Sequence, residues 1–221
     1  MLGHTDVSVQ TECPVKWQLD ADDRWAYWSP LGGDRGLASI RVTQIPYGWR
    51  GTVTIENRSA ETWNNVVAAV CLLLPGSPEF ADPQWGRTYY RSGGRYLAYE
   101  GRERDGGEGG EGWFQMSLVK DRTQLLRSAR HLKKWGFTRE PSDDGVIAVQ
   151  RQDGEAVLVT AWNPTHHLQA NRKSTYLCIH ANPLFGTLAP GEKKTCSGVV
   201  LATPGDLDAA WREALRATAS E

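Results

Sequence analysis

Gly51-Thr-Val-Thr-Ile-Glu-Asn57 alternates strictly, with Val53 and Ile55 pointing one way and Thr52, Thr54 and Glu56 the other. Period-two alternation marks a half-buried antiparallel strand. Ala38–Gln44 alternates in the same way just before it, so the two read as a hairpin-like pair, and Asn57-Arg-Ser-Ala60 supplies turn chemistry after it. Asn65–Leu74 is continuously apolar and is predicted to be a central strand covered on both faces. Shorter strands are expected at Val15–Leu19, Arg87–Arg91, Arg95–Tyr99, Trp113–Val119, Val146–Arg151, Ala156–Thr160, Ser174–His180 and Lys194–Ala202. Asp153-Gly154, between two alternating apolar runs, is the strongest short hairpin signal in the chain.

Trp25, Tyr27, Trp28 and Pro30 read as an aromatic turn, and 75–86, with Pro75, Pro78 and Pro83, as a long irregular loop. The run 101–112 is charged and Gly-rich, which predicts a flexible surface loop able to serve as a lid. Leu125, Ala129 and Leu132 recur at helical spacing within Asp121–Lys134. A C-terminal helix over 206–218 is capped by Asp206 and gathers Leu207, Ala210, Trp211, Ala214 and Leu215 on one face. The expected fold is all-β: an antiparallel β-sandwich with a C-terminal helix and one short internal helix, residues 1–221 forming a single domain.

Composition narrows the partners. With 25 basic and 26 acidic side chains the formal net charge is −1, which argues against a nucleic-acid binder. The basic run Arg127–Lys134 reads as a solvated helix face. No apolar run approaches the ~20 residues of a membrane span. The longest, Val66–Leu74, has nine residues. The polar start lacks the apolar stretch of a signal peptide, so a cytoplasmic location is expected, or a periplasmic or secreted one if a signal was trimmed. Cys13, Cys71, Cys178 and Cys196 match no CxxC spacing. Cys71 and Cys178 are expected to be buried thiols, and Cys13 and Cys196 can pair in an oxidising compartment. Ten Trp is a high count, and some of them are expected to line a groove.

Candidate chemistry concentrates between residues 162 and 185, where three of the five histidines fall within fifteen residues. Trp162, His166, His167, Gln169, Asn171, Arg172 and Asn182 combine an aromatic face for the C–H side of a sugar ring with donors and acceptors for its hydroxyls. Tyr90 and Arg91, with Tyr89, are expected as neighbours. The bland alternative is a polar connection between two strands. His180 is the candidate proton-transfer residue, placed at the end of an apolar strand before a Pro-Gly loop, with Glu100 or Glu79 as candidate carboxylate partner. No cofactor is implied. A divalent metal would need one of His166 and His167, which face opposite ways on an extended strand, together with His180 and a distant ligand such as Glu100, Asp82 or His131. No GxSxG elbow, GxGxxG or P-loop is present.

Gly51–Trp63 and the apolar strand through Leu74 resemble the opening of galactose-mutarotase-like supersandwich proteins. His180-Ala-Asn-Pro-Leu-Phe-Gly186, then Leu188-Ala-Pro-Gly-Glu192 and a last strand, is similar to the ends of uncharacterised bacterial sandwich proteins encoded among polysaccharide-degradation functions. The resemblance implies a carbohydrate ligand. The mutarotase enzymes use a His acid and a Glu base; His180 is placed on the former, and no Glu matches the latter. Three readings follow: a carbohydrate-active enzyme at the sandwich rim, a non-catalytic sugar-binding module carried by aromatics such as Trp25, Trp28, Trp85 and Trp162, or a structural domain whose surplus Trp side chains hold a homo-oligomer.

Overall fold

The computed structural model describes residues 2–3, 8–9, 18–19, 24–31, 33–102, 104–105, 114–119, 136–173 and 177–219. In chain order the first strands are β1 (Leu2–Gly3), β2 (Ser8–Val9), β3 (Gln18–Leu19), β4 (Trp25–Leu31), β5 (Gly36–Ile45), β6 (Gly48–Asn57), β7 (Trp63–Ala68), β8 (Cys71–Leu73) and β9 (Thr88–Ser92). There follow β10 (Arg95–Ala98), β11 (Arg104–Asp105), β12 (Phe114–Leu118), β13 (Gly136–Thr138), β14 (Val146–Gln150), β15 (Ala156–Asn163), β16 (Thr165–Asn171), β17 (Cys178–Leu188), β18 (Lys193–Pro204) and helix α1 (Leu207–Ala219). Two antiparallel-rich sheets result, as the alternation predicts. The first runs β11-β13-β12-β16-β17-β7-β1-β2, with β8 also on β17, and the second runs β10-β9-β14-β15-β18-β6-β5-β4-β3.

The sheets meet over an apolar layer that includes Val53, Ile55, Tyr90, Ile147, Val149, Trp162, Leu168, Ala170, Ile179 and Ala181. β6 supplies Val53 and Ile55 to that layer, as its alternation requires. Asn57, at its end, is fully buried; its Nδ2 donates to Leu188 O at 3.0 Å and its Oδ1 accepts from Ser59 N at 3.0 Å, which ties the Asn-Arg-Ser turn to β17. The outer face of the second sheet is covered by α1. Val146, Ala148, Val157, Val159, Ala161, Val199 and Leu201 pack there against Ala210, Trp211, Ala214 and Ala217. The small alanines let the helix lie close, and Asp206 Oδ1 caps it by accepting from Ala209 N at 2.8 Å. Burial on both faces explains why β14 is a continuous apolar run.

Several sequence expectations are corrected. Trp25–Leu31 is a strand paired with β5, not an aromatic turn. Asn65–Leu74 is not one doubly covered strand. It breaks at Ala69-Val70 into β7 and β8, which pair with opposite halves of β17. No described strand lies beyond β8, and Leu73 is therefore 56 % exposed. Of the strand expected at Ser174–His180, residues 174–176 lie outside the described residues, and the rest does not end at His180. The strand begins at Cys178 and runs on through Pro183 to Leu188. Pro183 is tolerated because it sits beside a bulge in the β16–β17 ladder. The segment after Trp162 is likewise strand β16 rather than a connection. The helix over 121–134, most of the Gly-rich run and the start of the Val15–Leu19 strand lie outside the described residues; Arg104–Asp105, inside the Gly-rich run, pairs with β13.

Two positions carry measurable consequences. Trp162 lies across Gly198 of the neighbouring strand. A Cβ at Gly198 would collide with its ring and approach Ala161 O to 2.6 Å, and one at Gly51 would reach the ring at 3.3 Å. Gly198→Ala is therefore expected to lower stability by about 1–3 kcal/mol in urea unfolding. Trp162→Phe in the same chain should recover part of that loss.

Asp144 accepts from Trp211 Nε1 at 3.0 Å and pairs with Arg91 at 3.1 Å, yet burial outweighs both and raises its pKa. A raised carboxyl stabilises the fold most when protonated, below its unfolded value of ~3.9, and that contribution is lost as pH rises through the folded value. The stability of wild type minus that of Asp144→Asn should thus fall with rising pH across the acid range. A difference that grows with pH would show that the Arg91 pair outweighs burial.

Candidate functional site

Strands β16, β17, β8 and β12 lie side by side, and their registers arrange the candidate residues in rows on the outer face of the first sheet. One row reads Cys71, His180, Gln169, Met116, Phe137, and the next reads Asn182, His167, Leu118. A third contains Leu73, Cys178 and Asn171. Residues directly opposite one another in a sheet stand ~4.5–5.5 Å apart, within side-chain reach. The alternate residues Leu168, Ala170, Ile179 and Ala181 point inward to the apolar layer. His166, His167, Asn171, Cys178, His180 and Asn182 are all buried, while Cys71 and Leu73 are exposed at one side.

His166 and His167 do not face opposite ways as an unbroken strand would require. Thr165 pairs with Pro183 and His167 with Asn182, so β16 carries one extra residue there. That bulge turns His166 toward its neighbour. The rings meet edge-on, with Nδ1 to Nδ1 at 2.8 Å, and Asn182 Nδ2 lies 2.9 Å from His167 Nε2. With the amide as donor, His167 Nε2 accepts. Its own proton then sits on Nδ1 and is given to His166 Nδ1. This relay fixes the Asn182 amide and leaves Asn182 Oδ1 buried, with no hydrogen-bond partner among the described residues.

One strand position away, His180 Nε2 lies 3.1 Å from Cys178 Sγ, and His180 Nδ1 is buried with no partner among the described residues. Cys71 completes this second group. Cys71, Cys178 and His180 hold their ligand atoms within 4.8 Å of one another, and no carboxylate among the described residues joins them. The two thiols share one charge. Hydrogen bonding from Cys178, helped by His180, holds Cys71 down to about 5, whereas the Cys71 thiolate and burial push Cys178 up. Cys71 is thus an exposed thiol rather than a buried apolar filler, because β8 is the open side of its sheet. Cys196 is a buried free thiol donating to Leu184 O at 3.3 Å and is pushed up to about 12 by burial; its suggested partner Cys13 lies outside the described residues.

The remaining candidates do not converge here. Trp162 is in the apolar layer, as is Tyr90, whose ring lies 4.9 Å from that of Tyr99. Arg91 pairs with Asp144 beside α1, with Tyr89 on the same strand of the second sheet. Arg172 stacks over Trp85 at 4.6 Å. Glu100 lies beside Gly86, Glu79 is in a 3-10 turn at Pro78–Phe80, and Asp82 accepts from Arg87 N and Thr88 Oγ1 at 2.8 Å. His131 is outside the described residues. Of the proposed aromatic platform, Trp85 and Trp162 are buried, and Trp25 and Trp28 are exposed on the other sheet. Cys71 and Cys178 are the residues that sequence reasoning left out of the site. Cys178-x-His180 carried a readable signal, since a spacing of two puts both side chains on one face of a strand.

No protein-family model matches the chain, and no curated protein matches it. Among solved structures it is similar to a galactose-mutarotase-related enzyme from Lactobacillus acidophilus, at 7 % identity over 88 % of this chain and 73 % of that one, TM-score 0.46. A galactose-mutarotase-like protein from Clostridium acetobutylicum matches at 13 % identity over 87 % and 66 %, TM-score 0.44. A GH36 α-galactosidase from Geobacillus stearothermophilus matches at 11 % identity over 94 % of this chain and 30 % of its own length, TM-score 0.46.

Exposure ranks the thiols. Iodoacetamide at neutral pH should modify Cys71 in the native protein and reach Cys178 and Cys196 only after denaturation. Peptide mass mapping would read this directly, and rapid native labelling of Cys178 would contradict the described burial.

Proposed function

We propose that this chain binds a carbohydrate on the outer face of its first sheet, through Asn182, His180, His167, His166, Gln169 and Asn171. The observation behind this reading is a pair of unmatched atoms. Asn182 Oδ1 is a buried acceptor and His180 Nδ1 a buried hydrogen-bonding nitrogen, each with no partner among the described residues, on residues that share one face of β17. A buried polar group left unpaired costs about 1–3 kcal/mol, so such atoms mark a place for an ordered partner. A sugar hydroxyl both donates and accepts, and neighbouring hydroxyls on one ring meet an acceptor and a donor together. Phe137, half-buried in the same row as His180 and Gln169, offers apolar area to the C–H side of the ring.

Binding is favoured over catalysis as the primary reading. An acid–base pair needs two groups within reach of the moving proton, and Glu79 and Glu100, the carboxylates suggested for His180, lie elsewhere, in the 3-10 turn at Pro78–Phe80 and beside Gly86. Any proton transfer by His180 would run through Nδ1, because Nε2 faces the Cys178 sulfur.

The test is a thermal-shift and calorimetric screen of the full chain against neutral mono- and oligosaccharides and uronates. A ligand bound only to the folded state at a hundredfold excess over Kd adds about 2.7 kcal/mol of stability. Asn182→Ala and His167→Ala should each weaken sugar binding at least tenfold while leaving the fold intact by circular dichroism. Sugar binding lost instead in Trp25→Ala or Trp28→Ala, and kept in Asn182→Ala, would move the site to the exposed aromatics of the second sheet. No binding by any sugar would remove the proposal.

A further inference from the structure

The grouping of Cys71, Cys178 and His180 is not accounted for by a sugar site. Three side chains of metal-binding type converge from two strands that are far apart in sequence, by a simple geometric route. Cys178 and His180 are two residues apart on β17 and so lie on one face, while Cys71 is directly opposite His180 on β8. Cys178 and His180 are more than nine-tenths buried, whereas Cys71 opens to solvent. All three ligand atoms lie within 4.8 Å, with Cys178 Sγ to His180 Nε2 at 3.1 Å.

We propose that Cys71, Cys178 and His180 form a three-ligand site for zinc(II) on the outer face of the first sheet. The donor set suits the ion. Zinc takes thiolate sulfur at ~2.3 Å and imidazole nitrogen at ~2.0–2.1 Å in tetrahedral arrangement. Those bond lengths separate a sulfur from a nitrogen ligand by about 3.5 Å, so the 3.1 Å pair needs only a few tenths of an ångström of side-chain rotation to admit the metal. Three protein ligands leave a fourth position for water or a bound hydroxyl, as in zinc sites that stay open. Soft sulfur donors select against magnesium and calcium, which take oxygen. With Nε2 on the metal, His180 carries its proton on Nδ1. That nitrogen is the one without a partner among the described residues, and it is where a ligating histidine normally makes its outer hydrogen bond. The exposed edge at Cys71 and Leu73 gives the ion a path in.

This inference does not rest on the sugar reading. The two share His180, but metal uptake is measured with no sugar present, so either can fail alone. The reduced full-length chain is titrated with zinc(II) against a chromophoric chelator, and separately with cobalt(II) followed by absorption. The expected result is one equivalent bound tightly. The cobalt form should show thiolate-to-metal charge transfer in the near ultraviolet and the intense visible bands of a four-coordinate ion. Cys71→Ser, at an exposed position where folding is not at risk, should weaken zinc binding by more than the roughly 100-fold that loss of an outer-shell partner alone can cost. His180→Gln should weaken it likewise, and Asn182→Ala should leave the stoichiometry at one. The proposal is overturned by no uptake in the reduced protein, by uptake unchanged in Cys71→Ser, or by a cobalt spectrum without thiolate charge transfer. It is equally overturned if peptide mapping shows Cys71 joined to Cys178 by a disulfide and the reduced protein still takes up no metal; the pair would then be a redox couple.

Discussion

Leu168, Ala170, Ile179 and Ala181 are held against the second sheet, and because side chains alternate along a strand, that burial fixes where their neighbours point. A slip of one residue between β16 and β17 would carry His167, Gln169 and Asn171 into the apolar layer, each polar group costing roughly 1–3 kcal/mol without a partner. The register is therefore strongly specified by the core. The outward rows that hold His180 opposite Gln169 and His167 opposite Asn182 are its consequence. The second sheet reinforces the constraint, because α1 covers its outer face and leaves the strands opposite β16 and β17 little freedom to shift.

Within that frame, local departures from regularity do the specific work. The extra residue at His166 brings two adjacent imidazoles into contact, which an unbroken strand forbids. The break at Ala69-Val70 lets one stretch of chain serve β17 twice, as β7 along Leu184–Leu188 and as β8 along Cys178–His180. Because β8 is short and open on its far side, Cys71 is delivered beside His180 yet remains accessible.

The fold was largely legible in the sequence because its signals are local. Val53 and Ile55 alternate, Asp153-Gly154 turns a hairpin between β14 and β15, and Asp206 caps α1. The site was legible in part. Of the candidates, His166, His167, Gln169, Asn171, His180 and Asn182 fall on the adjoining strands β16 and β17 rather than on a connection and a short strand. Trp162, Tyr90, Arg91 and Arg172 belong elsewhere because proximity in sequence says nothing about which face a residue takes across a bulge or at a sheet edge. Trp162 illustrates the point. Its large ring is accommodated because Gly51 and Gly198 leave space on two adjacent strands, a pairing between distant segments that no local pattern reveals. Cys71 was missed for the same reason, as its partner lies across the β8–β17 ladder.

His180 belongs to both proposed sites on this face, and its two ring nitrogens divide them. Nε2 is turned to the Cys178 sulfur, and Nδ1 is buried with no partner among the described residues. An imidazole held by one nitrogen has its other nitrogen fixed in direction and in protonation. With Nε2 on an ion the proton resides on Nδ1, whereas without one Cys178 gives its single S–H to Cys71 and His180 Nε2–H points at sulfur, so a neutral ring presents Nδ1 as an acceptor. The relay through His166 and His167 fixes the Asn182 amide in the complementary sense, as an acceptor. Asn182 Oδ1 and His180 Nδ1 thus stand on one strand face with their roles set by different neighbours, and the proposed sugar reading rests on that pair, since a hydroxyl can donate to the first and either donate to or accept from the second.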